Sequence, residues 1–514
     1  MKIPNYIYKL NYTIKRLLGM IEPYNGLLNI FDSVKSIKKT KKYKKSYLFY
    51  TNSSGERFWI KYLAYYAVKT YELVESIDYM WSDSPLRPLH STKKNKMKAF
   101  YKWSSRYQKK SNTNGFYIMT DDSVKSKINI SKLSDNDIKK ISKMDYCYLM
   151  KIEMPQNGYE NTEIFMYRNK INRKFSIKFE KVLMEKTYDL IVVMNGALFE
   201  NAVALKLANI YGIKCITIEI GEKTDKILMA ENKEAWCFDS KKYFDIYKEY
   251  YSKKEQMLKT VKILEDRKHP KLGINNASQF QKAELVTPDQ ITNVLNIPLG
   301  NKIALACTNV AWDSAVLGKG RAFHSQREWI LFLLEYFRNK PNWFLVVRIH
   351  PHEKEVGTNA PVSKIINEYI NNNPMTNMAV VGDEIEINTY SIAQIANIGL
   401  VYSSSVGMEM AMDGLPVITA ANVHYSNLGF TFDPTTPHDF EKCLDEAEEL
   451  GKNLKPNFSK NAVAYYGIYH NEIFKKAPWN WADYEKNGFV GSFMETVNNE
   501  SKIFDILSSG DIYA

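Results

Sequence analysis

Residues 401–418 read VYSSSVGMEMAMDGLPVI. Three hydroxyl side chains, Ser403, Ser404 and Ser405, separate an apolar run from an amphipathic one. If the first run is a strand and the second a helix, those hydroxyls and the unpaired N–H groups of the first helical turn point beyond the sheet. Such a set of donors suits a phosphate, and the helix dipole favours negative charge there. One serine would suffice to cap the helix, so three favour an anion site over a plain cap. Gly407 lets a ligand or a neighbouring backbone come close. Glu409, on the same helix, faces either a cleft or solvent. Gly414 and Pro416 read as turn residues.

A second polar cluster, RIHPHE (348–353), follows the apolar run WFLVV. Pro351 cannot continue a paired central strand, so the chain leaves the sheet at His350. An imidazole held there can donate to a phosphate as a neutral ring or as a cation. Arg348 adds a fixed charge. A zinc reading would use His350, His352 and Glu353, but no HExxH helix accompanies them. The other His-Pro pair, His269-Pro270, has no strand before it and reads as incidental. Together, the His350 and serine clusters would grip a leaving phosphate and stabilise its developing charge without a metal ion.

Carboxylates follow other apolar runs. MNGALFEN places Asn195, Gly196 and Glu200 at one such end, IEIGEKTD places Glu219, Gly221 and Glu222 at another, and TNVAWDSA offers Asp313. Partly buried at a strand end, such a group can reach a pKa useful for a base, and each can equally be a capping or solvated carboxylate. The Asp135-x-Asp137 pair has the spacing of a metal-binding Asp-x-Asp. It stands where a helix starts, which makes capping its expected role.

The elements that must position these groups alternate. SYLFYTN (46–52) is predicted to be a buried strand, with a turn at Ser53, Ser54 and Gly55 and a helix in RFWIKYLAYYAVKTYELV. After a polar, lysine-rich stretch at 83–145, strands are predicted at YDLIVVMNG, IKCITIEIG and EAWCFDS. From residue 300 the rhythm is regular: KIALACTNV, WFLVVRIH, MAVVGDE, IGLVYSSS and PVITA are strands with helices between them. Such alternation predicts a parallel sheet covered on both faces. The expected fold class is α/β, with two Rossmann-like domains facing across a cleft, the GT-B architecture. Ligands of such sheets sit beyond the carboxyl ends of the strands.

At 514 residues the chain is too long for one core. The predicted segments are a basic N-terminal stretch at 1–45, a first Rossmann-like domain at 46–290 with a polar insertion near 83–145, a second at 295–455, and helices at 456–514 packing back on the first. The net charge of +13 is either the bias of an AT-rich genome or an attraction to anionic lipid, nucleotides or nucleic acid. The stretch YIYKLNYTIKRLLGMI forms a helix that docks on anionic lipid or packs on the protein's own body. No apolar run approaches the ~20 residues of a spanning helix, and no secretory signal is recognised. Five scattered cysteines fit a reducing, cytoplasmic setting, either soluble or peripheral on the inner face of a membrane.

The segment TNVAWDSA…REWI…LVVRIHPHE…TYSIAQIANIGLVYSSSVGMEMAMDGLPVI resembles the bacterial capsule polysaccharide biosynthesis family of GT-B glycosyltransferases, which includes Kdo transferases. The likeness covers roughly residues 305–420, with a looser one in NGALFENAVALKLANIYGIKCITIEIG. The His-Pro and serine motifs are similar to those of GT-B sialyltransferases. The resemblance implies that His350 and Ser403 to Ser405 bind a donor phosphate, that Glu386, Asn388 and Tyr390 border the nucleoside, and that His424 and Tyr425 line the donor pocket. It implies no cofactor beyond a nucleotide-sugar substrate, with a CMP-sugar favoured over a UDP-sugar. The basic N-terminal third and the 83–145 stretch depart from the family, which leaves the acceptor open.

The sequence thus predicts a metal-independent GT-B glycosyltransferase. It would move a CMP-activated acid sugar, such as Kdo or a sialic-acid relative, to a surface-glycan or lipid-linked acceptor. The donor-binding set is Arg348, His350, Pro351, Asn388, Tyr390, Ser403, Ser404, Ser405, Gly407 and Tyr425. Glu219, Glu222 or Asp313 would be base or nucleophile, with His350 stabilising the leaving group. The alternatives are a nucleotide-sugar epimerase of the same fold and a non-catalytic basic module for nucleic acid or anionic polymer. No nucleic-acid motif is visible, and the lysines cluster outside the α/β runs.

Overall fold

The computed structural model describes residues 34–37, 39, 43–52, 58–82, 84–88, 115–120, 123–125, 130–223, 225–269, 284–382, 384–452, 454, 457–478 and 502–513. The expected N-terminal lipid-docking helix, the turn at Ser53–Gly55 and most of the aromatic cluster after Ala477 lie outside them. The described residues form a mixed α/β protein with two parallel-dominant sheets of Rossmann type. The chain divides into two compact units: residues 1–145, 158–238 and 475–514, and residues 146–157 with 239–474.

The first sheet has seven strands: β1 (Tyr43–Asn52), β2 (Val74–Ser82), β3 (Phe116–Thr120), β4 (Leu190–Met194), β5 (Cys215–Ile220), β6 (Lys226–Glu231) and β12 (Phe474–Lys476). Their order is β12-β6-β5-β4-β1-β2-β3. Strand side chains alternate between faces. Tyr47 and Phe49 of β1 join one core, with Ile77, Tyr79 and Val192. Leu48 and Tyr50 join the other, with Phe175, Phe179 and Val203. Helices thus cover both faces, which is why β1 and β4 read as unbroken apolar runs. The last described helix, Lys502–Ser509, packs into the first core through Phe504, while Ser508 accepts a hydrogen bond from Tyr47 Oη at 2.6 Å.

Three strands differ from the sequence expectation. β2 lies where the helix was predicted to end. Val74, Ile77 and Trp81 suit helical spacing as well as a strand, but a turn at Glu72–Leu73 stops the helix at Tyr71. β3 lies inside the stretch predicted to be a polar insertion and pairs with β2 in parallel, Tyr79 opposite Ile118. The strand predicted at Glu234–Ser240 is a single 3-10 turn, Ala235–Cys237. The strand is instead β6, antiparallel to β5, with Ile218 opposite Met229.

The second sheet has the order β11-β10-β7-β8-β9, from β7 (Lys302–Cys307), β8 (Trp343–Arg348), β9 (Met378–Val381), β10 (Ile398–Val401) and β11 (Val417–Thr419). All its pairings are parallel. Helix Gln326–Arg338 shows how the sequence builds it. Ser325 caps its first turn, and Trp329, Ile330, Leu333, Leu334 and Phe337 form one apolar face. That face meets Ala304, Leu345 and Leu400 from three strands. Each large apolar side chain buried this way contributes roughly 1.5–3 kcal/mol.

Candidate functional site

In the second sheet the chain runs outward through β7, β8 and β9, then returns to the far side of β7 with β10 and β11. The order therefore reverses between β7 and β10, and open α/β sheets bind ligands at such a point. Thr308 and Asn309 leave β7 there, and Tyr402 and Ser403 leave β10. The two ends are tied together: Ser403 donates its backbone N–H to Asn309 Oδ1 at 3.1 Å. Ser403 Oγ is buried and has no hydrogen-bond partner among the described residues. A buried hydroxyl left so costs about 1–3 kcal/mol. Ser405 stands at the amino end of helix Val406–Met412, and its side chain does not cap it.

His350 leaves β8, on the other side of β7, so its strand end and that of Ser403 are roughly 10 Å apart. Its N–H bonds Thr308 Oγ1 at 3.1 Å, which fixes it to the end of β7. Its Nδ1 accepts the His352 N–H at 3.2 Å, so in the neutral ring Nε2 carries the proton. Burial, with His352 and Arg348 adding, pushes its pKa down to about 4. His350 is thus a neutral donor at physiological pH. Pro351 opens the turn in which Glu353 N–H bonds His350 O at 2.9 Å.

The zinc set does not converge. His352 Nδ1 faces Glu355 at 3.2 Å, and Glu353 Oε1 accepts the N–H of Val362 at 3.0 Å. Among the described residues no group of three His, Cys, Asp or Glu is placed to hold a metal ion. Asp135 and Asp137 open helix Asp135–Met150, where they meet Arg173 and Lys206.

Several residues predicted to touch the donor make their contacts within the protein. Arg348 is 8% exposed, and its guanidinium bonds Thr389 Oγ1 and the carbonyls of Val381 and Gly382. Asn388 is wholly buried; its Oδ1 caps helix Thr389–Ile395 through Tyr390 N–H, and its amide donates to Lys268 O at 3.0 Å. Tyr390 Oη donates to Glu409 at 2.8 Å. Glu409 faces neither cleft nor solvent: it is buried against Arg267 Nε at 3.1 Å and Tyr466. Tyr425 is wholly buried and braces the serine loop from within, its Oη bonded to Ser404 O. Gly407 is required by that ring, because a Cβ there would overlap the Tyr425 hydroxyl. His424 bonds Tyr465 Oη at 2.8 Å and stacks on Tyr469. Glu386 is exposed.

Asp313 follows Asn309 on the same loop. Asp313 is exposed; its carboxylate accepts the N–H of Ala315 at 2.8 Å, and crowding by the loop raises its pKa.

The first sheet reverses in the same way, between β1 and β4. Asn52 ends β1, and its amide bonds Glu200 Oε2 at 2.5 Å. Arg168 bonds the same oxygen at 2.9 Å and Asp145 at 3.2 Å, all three side chains being fully buried. Burial raises the Asp145 pKa against the pull of Arg168. Among the described residues, Glu200 Oε1 has no hydrogen-bond partner. After β4, Asn195 and Phe199, the first residue of helix Phe199–Ile210, have φ of 53° and 56°, a region L-residues rarely adopt. Glu219 lies at the end of β5, bonded to the Asn195 amide and the Ile220 N–H, and Glu222 is half-buried in the turn that follows.

Thr308, Asn309, Arg168 and Asp145 were not singled out from the sequence, whereas Glu200, their partner in the buried cluster, was. Thr308-Asn309 carries a signal like that of the serines, two polar residues directly after an apolar strand. Arg168 lies in a helix of charged residues and carries none.

No protein-family model matches the chain, and no curated protein matches it by sequence. Among solved structures, a Thermosulfurimonas dismutans KpsC β-Kdo 2,4 transferase aligns over 63% of this chain and 93% of its own, at 12% identity and a TM-score of 0.38. A UDP-GlcNAc 2-epimerase from Neisseria meningitidis bound to UDP-GlcNAc aligns over 83% and 100%, at 12% identity and 0.27. The N-terminal domain of Candida albicans trehalose-6-phosphate phosphatase aligns over 84% and 95%, at 12% and 0.32. At these values the likeness carries neither family nor chemistry to this chain.

Proposed function

We propose that the chain is a glycosyltransferase whose nucleotide-sugar donor lies at the β7/β10 reversal of the second unit. The observation that supports this most is the Ser403 hydroxyl, buried and without a partner among the described residues, beside a backbone held in place by Asn309. A phosphate oxygen is the acceptor such a hydroxyl lacks. His350, a neutral donor two strands away, would take a second oxygen, of the same phosphate or of the next group along. Donors fixed before the reaction stabilise charge that appears on the departing phosphate. This work needs no metal ion, and we propose a metal-independent transfer.

The donor we favour is a CMP-activated acid sugar of the Kdo or sialic-acid type, moved to a surface-glycan or lipid-linked acceptor. Asp313, on the loop that carries Asn309 and with its pKa raised, is the carboxylate we assign as base or nucleophile. Arg348, Asn388, Tyr390, Gly407 and Tyr425 support the site from beneath rather than touching the ligand.

The test is incubation with CMP-, UDP- and GDP-sugars without acceptor, with and without EDTA, beside His350→Ala. Slow hydrolysis of one donor, unaffected by EDTA and lost in the variant, is the expected result. Epimerisation of a UDP-sugar, or no binding of any nucleotide, would refute the proposal.

A further inference from the structure

Resting on that reading of the site, we infer that Glu153 controls the Ser403 crevice through a relay of three links, so that nucleotide binding tightens as pH rises through neutrality. Glu153 lies in the 146–157 segment of the second unit. Its two carboxylate oxygens accept the backbone N–H groups of Gln326 and of Arg327, the latter at 3.2 Å. These are the first residues of helix Gln326–Arg338, whose own Ser325 already caps it through Glu328 N–H. Glu153 therefore ties a distant segment to a helix end that has a local cap.

Gln326, 1% exposed, passes the constraint on. Its side-chain oxygen accepts Asn309 N–H at 2.6 Å, and its side-chain amide donates to Asn309 O at 3.1 Å. Both peptide groups of Asn309 are clamped, and Asn309 Oδ1 in turn holds the Ser403 N–H at 3.1 Å. The two contacts at Gln326 fix the orientation of Asn309 as well as its distance, so a shift of the helix end reaches the serine.

The first link is sensitive to protons. Burial, with Glu328 adding, raises the Glu153 carboxyl to about 7 against the two amide N–H groups that favour its charge. A carboxylate accepts from both amides. A carboxylic acid turns one O–H towards an N–H, and one of the two bonds is lost. The other titratable groups facing it are Glu328, whose carboxylate accepts His324 N–H at 2.8 Å, and Tyr402, whose pKa burial raises with Glu153 and Glu328 adding. His350 stays neutral above about 4 and supplies no competing transition.

Losing one such bond corresponds to roughly a threefold to tenfold loss in an equilibrium constant. The experiment measures CMP, UDP and GDP affinity by calorimetry on the full chain between about pH 5.5 and about 8.5. Wild type is compared with Glu153→Gln and Asn309→Ala. The phosphate's own titration is common to all three and cancels in the ratio to wild type. In wild type, affinity is expected to rise through about pH 7 by that factor. Glu153→Gln, whose amide group faces the two N–H donors, should stay at the acid value throughout. Asn309→Ala cuts the last link, leaves the helix end intact, and should flatten the slope in the same way. Equal slopes in wild type and in either variant that retains the wild-type circular dichroism would overturn the relay and leave the site reading standing. No nucleotide binding by wild type at any pH would remove both.

Discussion

Replacing Ser403 by alanine should move stability and binding in opposite directions. In the free protein the Ser403 hydroxyl is buried and has no hydrogen-bond partner among the described residues. Its burial costs about 1–3 kcal/mol, and alanine removes that cost while losing only one small polar atom's contacts. The backbone N–H that Asn309 holds is untouched by the change. Ser403→Ala is therefore expected to stabilise the second unit by about 1 kcal/mol, a rise of about 2–4 °C in its unfolding midpoint. With nucleotide present the sign reverses. A hydrogen bond to a charged phosphate contributes about 1.5–3 kcal/mol, so affinity should fall roughly tenfold to a hundredfold. Thermal unfolding with and without CMP, followed by titration calorimetry, reads both effects on one sample. A variant that melts lower than wild type and binds nucleotide as well would refute the reasoning, because the hydroxyl would then be an ordinary core group. A loss of stability for activity's sake is the signature of a working site.

Gly407→Ala should cost about 1–3 kcal/mol in chemical denaturation, since its methyl group displaces the Tyr425 ring from Ser404. Arg168→Met should cost about 3–5 kcal/mol, because Asp145 and Glu200 remain buried without their cation; the double change with Glu200→Gln should recover part of that loss. The His350 ring, followed by NMR, should stay neutral down to about 4, and a midpoint near the usual 6.5 would contradict its burial. For this ring the unfolded chain holds a proton that the native state lacks between those two values, so its contribution makes stability rise with pH across that window.

How much of this was legible depended on which residues meet the sheet ends. The second sheet was nearly complete in the sequence, because its five strands are short apolar runs bounded by turn residues and its helices show one-sided spacing. The first was harder. β6 reads KILMAE, with charges at both ends, and its antiparallel pairing with β5 breaks the βαβ rhythm of the rest of the sheet. β2 contains Glu75 and Asp78, which hid a buried strand directly after the predicted helix, where the sequence reading places no element. In the proposed site, the serines and His350 announce themselves by following strands, and Asp313 by its place in the loop after β7. Arg348, the last residue of β8, is polar at a strand end yet turns inward, and Asn388 and Tyr390 open a helix and do the same, since polarity there does not say which way the side chain leans. Gln326 and Glu153 had no signal: the clamp on Asn309 joins residues 17 positions apart, and the Glu153 contact joins residues 173 apart.

The helix at Lys502–Ser509 has a bearing on how the chain is made. Phe504 touches Tyr65 and Tyr66, and Lys214 and Tyr47 bond carbonyls of the same terminal stretch. Those tyrosines emerge from the ribosome more than four hundred residues earlier. At about 5–20 residues per second, the first sheet waits tens of seconds for its last piece. The second unit, translated in between, has its own strands in hand well before then. The protein would mature from its middle outward, and a nascent chain stalled before residue 502 would present a row of wet aromatic rings to any holding chaperone.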